Sequence, residues 1–207
     1  MKAIPYVSVL LLLLVNVASS QEYPAYRVRS EFTLKDKTVA GNGLCVPIQV
    51  DGKKLLLTAA HVVKNDEGKN SDEILVDLPD GWIRCKIKKI DAEADLCLLE
   101  PRINPPKVVE LDKKNNEQNQ DVFNPNYFCS MKMKIEEGTL IIEASGGRWI
   151  AKIPEYSHGS SGSPVYTKEG KLCGLGIAGY SEDGGKTMTF AIVVGRKAIS
   201  KFVHSEK

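Results

Sequence analysis

His61, Asp95 and Ser161 are the residues of this 207-residue chain whose types could combine into a nucleophilic centre. A serine hydroxyl attacks a carbonyl when a neutral imidazole takes its proton and a third group orients that imidazole. Ser161 lies in "EYSHGSSGSPVY" (155–166), with four serines and two glycines around one proline. Taken alone, such a stretch reads as a loop. The chain has three histidines, His61, His158 and His204. His204 sits near the C-terminus, where chains fray. His158 stands three residues before Ser161, too near in the chain to fold back as its base. His61 follows "LLLTAA", the end of an apolar strand, where a turn would hold it rigidly. Asp95 precedes "LCLL", which puts its carboxylate at the mouth of a core strand. Asp91 is the rival acid, but it lies in a turn, where aspartate usually caps backbone amides. A G-x-S-x-G elbow is absent, because Ser163 follows Gly162 where the motif needs glycine.

The segments that must position these residues read as strands. "LCVPIQV" and "KKLLLTAA" flank Asp51-Gly52, a hairpin signal. "EILVDL" ends at Pro79-Asp80-Gly81. In "WIRCKIKKI", Ile83, Cys85 and Ile87 alternate with Arg84, Lys86 and Lys88, so one face is buried and one wet. "PRINPPK" (101–107) breaks both ladder and helix and reads as a link. "DKKNNEQNQD" (112–121) is a polar loop. "TLIIEA" and "RWIAKI" form a hairpin through Ser145-Gly146-Gly147. "PVYTKEGKLCGLGIAG" turns at Glu169-Gly170, and "TMTFAIVV" is a last strand. "GRKAISKFVHSEK" spaces Ala198, Ile199, Phe202 and Val203 as a short amphipathic helix. Many short strands with few helices argue an all-β fold of two small barrels. The expected division is a first barrel over about 28–100, a link over 101–107, a second barrel over about 108–194 and a helix over about 196–204.

"TAAH" (58–61), "DLCLLE" (95–100) and "GSSGSPV" (159–165) resemble the three signature segments of trypsin-like serine proteases. They are nearest in style to the bacterial exported HtrA-type and glutamyl-endopeptidase-type enzymes. The closing "EGKLCGLGIAG…GGKTMTFAIVVGRKAISKF" resembles the end of an HtrA-type protease domain. The resemblance implies a chymotrypsin-like pair of six-stranded antiparallel β-barrels, with the active site in the cleft between them. It implies endopeptidase activity by an acyl-enzyme route and no cofactor. Carried over by motif, Ser161 is the nucleophile, His61 the general base and then acid, and Asp95 the residue that orients His61. The backbone N–H groups of Gly159 and Ser161 would form the oxyanion hole.

The chain departs from the digestive and clotting branch in two places. There, an aspartate directly before the nucleophile pairs with a freshly cut N-terminus; here that place is Ser160, so the loop must hold itself by other hydrogen bonds. The residue after His61 is Val62 rather than cysteine, which removes the usual neighbouring disulfide. No PDZ-like peptide-binding module is expected after Phe202. For specificity, Glu155 stands six before Ser161, where an acid in the trypsin branch selects Lys or Arg. Gly176, Ile177 and Ala178 would form the pocket wall, and their small apolar character favours medium apolar side chains instead. His158 would either touch substrate at the rim or be solvated.

The chain opens "MKAIPYVSVLLLLLVNVASSQEYP". Lys2, the apolar run Val7 to Val17 and the small residues Ala18-Ser19-Ser20 follow the signal-peptide pattern, with cleavage after Ser20. The run is shorter than the roughly 20 residues of a spanning helix. The mature chain is therefore expected to be secreted or periplasmic and away from the membrane. A formal net charge of +2, with both signs interspersed, argues against a nucleic-acid partner. The five cysteines, Cys45, Cys85, Cys97, Cys129 and Cys173, show no metal spacing. They read either as buried thiols or as bridges whose pairing the spacing does not assign. The expected partner is a protein or peptide substrate. Two other functions on the same fold remain: an inactive binding protein and an esterase.

Overall fold

The computed structural model describes residues 23–34, 37–65, 67–127, 133–181 and 188–205. The signal-like opening through residue 20 and Cys129 lie outside them. The first barrel is built from β1 (Tyr26–Leu34), β2 (Lys37–Val50), β3 (Lys53–Thr58), β4 (Glu73–Leu78), β5 (Gly81–Asp91) and β6 (Leu96–Pro101). It closes in the order β1-β2-β3-β6-β5-β4. One helical turn, α1 (Ala60–Val63), follows β3. The second barrel takes β7 (Asp121–Asn126), β8 (Lys134–Glu143), β9 (Arg148–Tyr156), β10 (Ser163–Tyr166), β11 (Leu172–Tyr180) and β12 (Met188–Gly195). It closes in the order β10-β11-β12-β9-β8-β7. A final helix, α2 (Arg196–His204), leaves β12 directly. The fold is all-β and chymotrypsin-like, as the strand pattern and the signature segments led one to expect. Closure leaves neither sheet with a free edge.

Local chemistry accounts for the turns. Asp51 and Gly52 both adopt positive φ, +48° and +78°, which is the backbone a two-residue hairpin needs between β2 and β3. Strand β5 keeps Cys85 buried while Arg84, Lys86 and Lys88 face solvent, and a bulge at Ile87–Lys89 lets the strand turn the barrel corner. Pro101 closes β6 opposite Cys85, at the end of the ladder, where a missing N–H costs least.

Leu44, Leu56, Leu57, Leu96 and Leu99 of the first-barrel strands are fully buried. Each contributes about 1.5–3 kcal/mol by leaving water. The second barrel has its own core around Leu140, Ile153 and Val165. The first core continues across the interface into Tyr166, Leu172, Leu175 and Val194, and into Ile199, Phe202 and Val203 of α2. Lys89 of β5 reaches the end of α2, where its Nζ donates to the carbonyls of Phe202 (2.6 Å) and Ser205 (2.5 Å). A cation at a helix C-terminus meets the unpaired carbonyls and the negative end of the dipole. Core continuity and this tie fix the two barrels against each other, which matters because the candidate site draws on both.

Candidate active site

Thr58 pairs with Cys97 in the β3–β6 ladder, so the chain ends leaving these strands emerge side by side. His61 stands three residues beyond Thr58 and Asp95 two before Cys97. In the single turn α1, Val62 and Val63 are buried and His61 is turned outward. Asp95 ends the β5–β6 turn with φ +57°, a left-handed backbone uncommon for a residue with a side chain. That conformation lets three of its atoms serve the histidine segment. The Asp95 carbonyl accepts from Ala60 N–H (3.2 Å), Oδ1 accepts from His61 N–H (2.9 Å), and Oδ2 lies 2.7 Å from His61 Nδ1. An ionised carboxylate only accepts, so Nδ1 carries the proton and Nε2 is the basic nitrogen. Asp91 is engaged elsewhere. Its Oδ1 accepts the N–H groups of Glu93 and Ala94, capping the turn that delivers Asp95.

Ser161 comes from the second barrel, in two successive tight turns that share Ser160. Ser160 N–H donates to the Ser157 carbonyl (3.0 Å), and Ser163 N–H donates to the Ser160 carbonyl (2.9 Å). Gly159 (φ +89°) and Gly162 (φ +83°) occupy the third position of each turn. That is the place where a type II turn requires positive φ and so favours glycine. Ser160 is buried, and its Oγ accepts from Ser157 N–H (3.3 Å). This closes the first turn locally, where the digestive branch would use an ion pair. The N–H groups of Gly159 and Ser161 meet no protein acceptor among the described residues.

The serine turn docks on the first barrel through β2. Leu44 N–H donates to the Ser161 carbonyl (2.8 Å), and Thr58 Oγ1 donates to the Leu44 carbonyl (2.7 Å). Gly162 lies so close to Leu44 that a Cβ there would sit 2.1 Å from the Leu44 oxygen. On the other side, Gly162 N–H donates to Gly176 (2.7 Å) and Ser161 Oγ to the Ile177 carbonyl (3.3 Å). Strand β11 thus flanks the serine, with Ile177 buried and Ala178 half-buried. Gly176 packs against the Tyr156 hydroxyl. His158 is exposed at the outer corner of the first turn. Glu155, with φ +55°, is engaged by Lys134 of β8 at 2.8 Å, and this partner raises the Lys134 pKa.

Leu44, Tyr156, Asn124 and Ser163 also build this region, and the motifs gave none of them a role in it. Tyr156 and Ser163 stand within the serine-rich stretch, but their roles depend on which way they face. Among the described residues, no three of His, Cys, Asp and Glu gather as a metal site.

A family model for the trypsin-like peptidase domain matches residues 41–175, well over half of the chain and inclusive of all three segments described above. The chain belongs to the trypsin-like peptidase family. Solved structures share the architecture of this trypsin-like peptidase. The active form of the Rv3671c protease from M. tuberculosis is 17% identical with a TM-score of 0.70, over 93% of this chain and 86% of that one. An inactive form of the same protease is 15% identical, with a TM-score of 0.67 over 91% of both chains. The HtrA-type protease AlgW, solved with a decapeptide, is 16% identical with a TM-score of 0.71, over 90% of this chain. The trypsin-like peptidase spans 65% of AlgW's own length. At such identities the likeness concerns the fold, and function has to be argued from the site. No curated protein matches by sequence.

Proposed function

We propose that this trypsin-like peptidase is an exported serine endopeptidase in which Ser161, His61 and Asp95 act as one unit. The observation that carries the reading is the double hydrogen bond from His61 to Asp95, through N–H and Nδ1, beside a serine turn anchored on the neighbouring strand. His61 Nε2 takes the Ser161 proton as Oγ bonds to the scissile carbonyl carbon. Negative charge moves to the carbonyl oxygen, toward the N–H groups of Gly159 and Ser161. The imidazolium, stabilised by Asp95, gives its proton to the leaving amine as the C–N bond breaks. Water repeats the sequence on the acyl-enzyme, releases the second product and restores the serine.

The substrate reading is a protein or peptide, in keeping with AlgW having been solved with a decapeptide and with a tripeptide. Glu155 already has Lys134 as its counter-ion, which favours the apolar preference expected from Gly176, Ile177 and Ala178 over selection of Lys or Arg. Export rests on the leader pattern of residues 1–20. The test compares wild type with Ser161→Ala on unfolded casein, together with fluorophosphonate labelling. Turnover on the order of 10⁵–10⁶ lower in the variant, with labelling of wild type alone, supports the reading. Equal turnover by both proteins rejects it.

A further inference from the structure

A buried polar cluster lies beneath the Gly159–Ser161 turn. Its members are Asn124 of β7, Ser163 at the start of β10, Tyr156 at the end of β9 and Ser160, all of them buried. Asn124 Nδ2 donates to Ser163 Oγ (2.9 Å) and to the Pro164 carbonyl (2.8 Å). Ser163 Oγ and the Tyr156 hydroxyl both face the space left beside Gly176. The Tyr156 hydroxyl donates to the Ser160 carbonyl at 3.2 Å. Space for the cluster comes from Gly176, where a Cβ would sit 2.7 Å from the tyrosine oxygen and 2.9 Å from Ser163 Oγ.

We propose that Tyr156 is a positioning residue for the oxyanion hole: it fixes the direction of the Ser161 N–H by holding the carbonyl of the same peptide group. The peptide between Ser160 and Ser161 is trans and planar, so its C=O and N–H point in opposite directions. The tyrosine hydroxyl joins the Ser163 N–H in holding the Ser160 oxygen, so the Ser161 N–H of the same peptide group is directed to the opposite side. The Ser160 carbonyl is the acceptor that the Tyr156 hydroxyl meets. Burial raises the Tyr156 pKa far above its ordinary range, so the group keeps its proton and stays a donor. This bond supplies from within the second barrel the support that other branches obtain from an acid at the position of Ser160. The inference rests on the reading of Ser161 as nucleophile.

The experiment replaces Tyr156 by Phe, which removes the hydroxyl alone. It measures kcat and KM on a peptide substrate, and the inhibition constant of a peptide aldehyde whose adduct places an oxyanion in the hole. Loss of a complete donor costs about 10²–10³ in rate, so a misdirected one is expected to lower kcat about 10- to 100-fold with KM within about twofold. Aldehyde affinity is expected to weaken in step with kcat/KM. Urea unfolding selects conditions in which each variant is folded. Unchanged kcat in folded Tyr156→Phe, or lower kcat with unchanged aldehyde affinity, overturns the inference. If Ser161→Ala abolishes turnover in the same series, the reading of the nucleophile survives that failure. Turnover that persists in Ser161→Ala removes both.

Discussion

Gly43 of the first barrel lies directly against the carbonyl oxygen of Ser161 from the second, so close that a Cβ at Gly43 would stand 2.7 Å from it. The same Cβ would stand 2.6 Å from Cγ2 of Val62, the residue after His61. One glycine on β2 therefore sets how closely the histidine turn and the serine turn approach. Neither barrel contains both groups, so their spacing is a property of the interface.

Gly43→Ala is expected to separate the two turns. Overpacking of this kind costs about 1–3 kcal/mol. Because the Ser161 contact is backbone, the loop itself must shift. Peptidase activity should fall more than for an equally destabilising change remote from the site, such as Val122→Ala in the second core. Urea midpoints and kcat/KM of the two variants check this; proportionate losses in both would contradict it.

Asp95→Asn should leave the fold intact, because an amide oxygen still accepts the His61 N–H. Its NH₂ would face Nδ1 as a donor and move the imidazole proton to Nε2, where the base is needed. A fall in kcat of about 10⁴ is expected on the proposed mechanism. Asp91→Asn keeps the oxygen that caps the turn and should cost far less. Steady-state kinetics on both variants distinguishes the two acids.

Cys45, Cys85, Cys97 and Cys173 are free and buried. Burial raises the Cys45 thiol well above its ordinary value and those of Cys85, Cys97 and Cys173 to about 12. Thiolates are the reactive form, so none of the four should alkylate in the native protein at neutral pH. Iodoacetamide treatment before and after denaturation, read by peptide mass spectrometry, should label them only in the unfolded chain.

Asp72 accepts the Thr33 N–H at 2.7 Å and pairs with Lys69 at 3.2 Å. The backbone hydrogen bond first, then the lysine, lowers its pKa below the ordinary 3.8. A carboxyl more acidic in the folded than in the unfolded state adds stability above the unfolded value, and that stability is lost as pH falls through the folded value. Wild type should therefore exceed Asp72→Asn in thermal midpoint near pH 7. The two should converge as pH falls through the folded-state value of this carboxyl. A constant gap across that range would count against this origin.

Much of the architecture was legible. "LCVPIQV", "EILVDL", "WIRCKIKKI" and "RWIAKI" carry strand periodicity strong enough to survive packing, and Asp51-Gly52 and Ser145-Gly146-Gly147 mark their turns. Strand β7 was not legible, because "DVFNPN" holds a proline and two asparagines, and pairing with β8 and β10 decides its state. The choice between Asp91 and Asp95 was half legible: both flank a turn, and only the register of Thr58 with Cys97 shows which carboxylate arrives at His61. Tyr156 was visible as a residue but mute as a role, since a hydroxyl directs a peptide group only when folding brings them within hydrogen-bond reach.

By itself, the order of residues determined the kind of chemistry on offer and the elements that carry it. Side-chain type and hydrophobic period are local properties, written within a few positions of each other. The tertiary structure alone decided the meeting of β2 with the serine turn, the state of four cysteines and the bond from the Tyr156 hydroxyl to the Ser160 carbonyl. Those depend on the closure of two barrels and on distances between residues far apart along the chain, which no local pattern encodes.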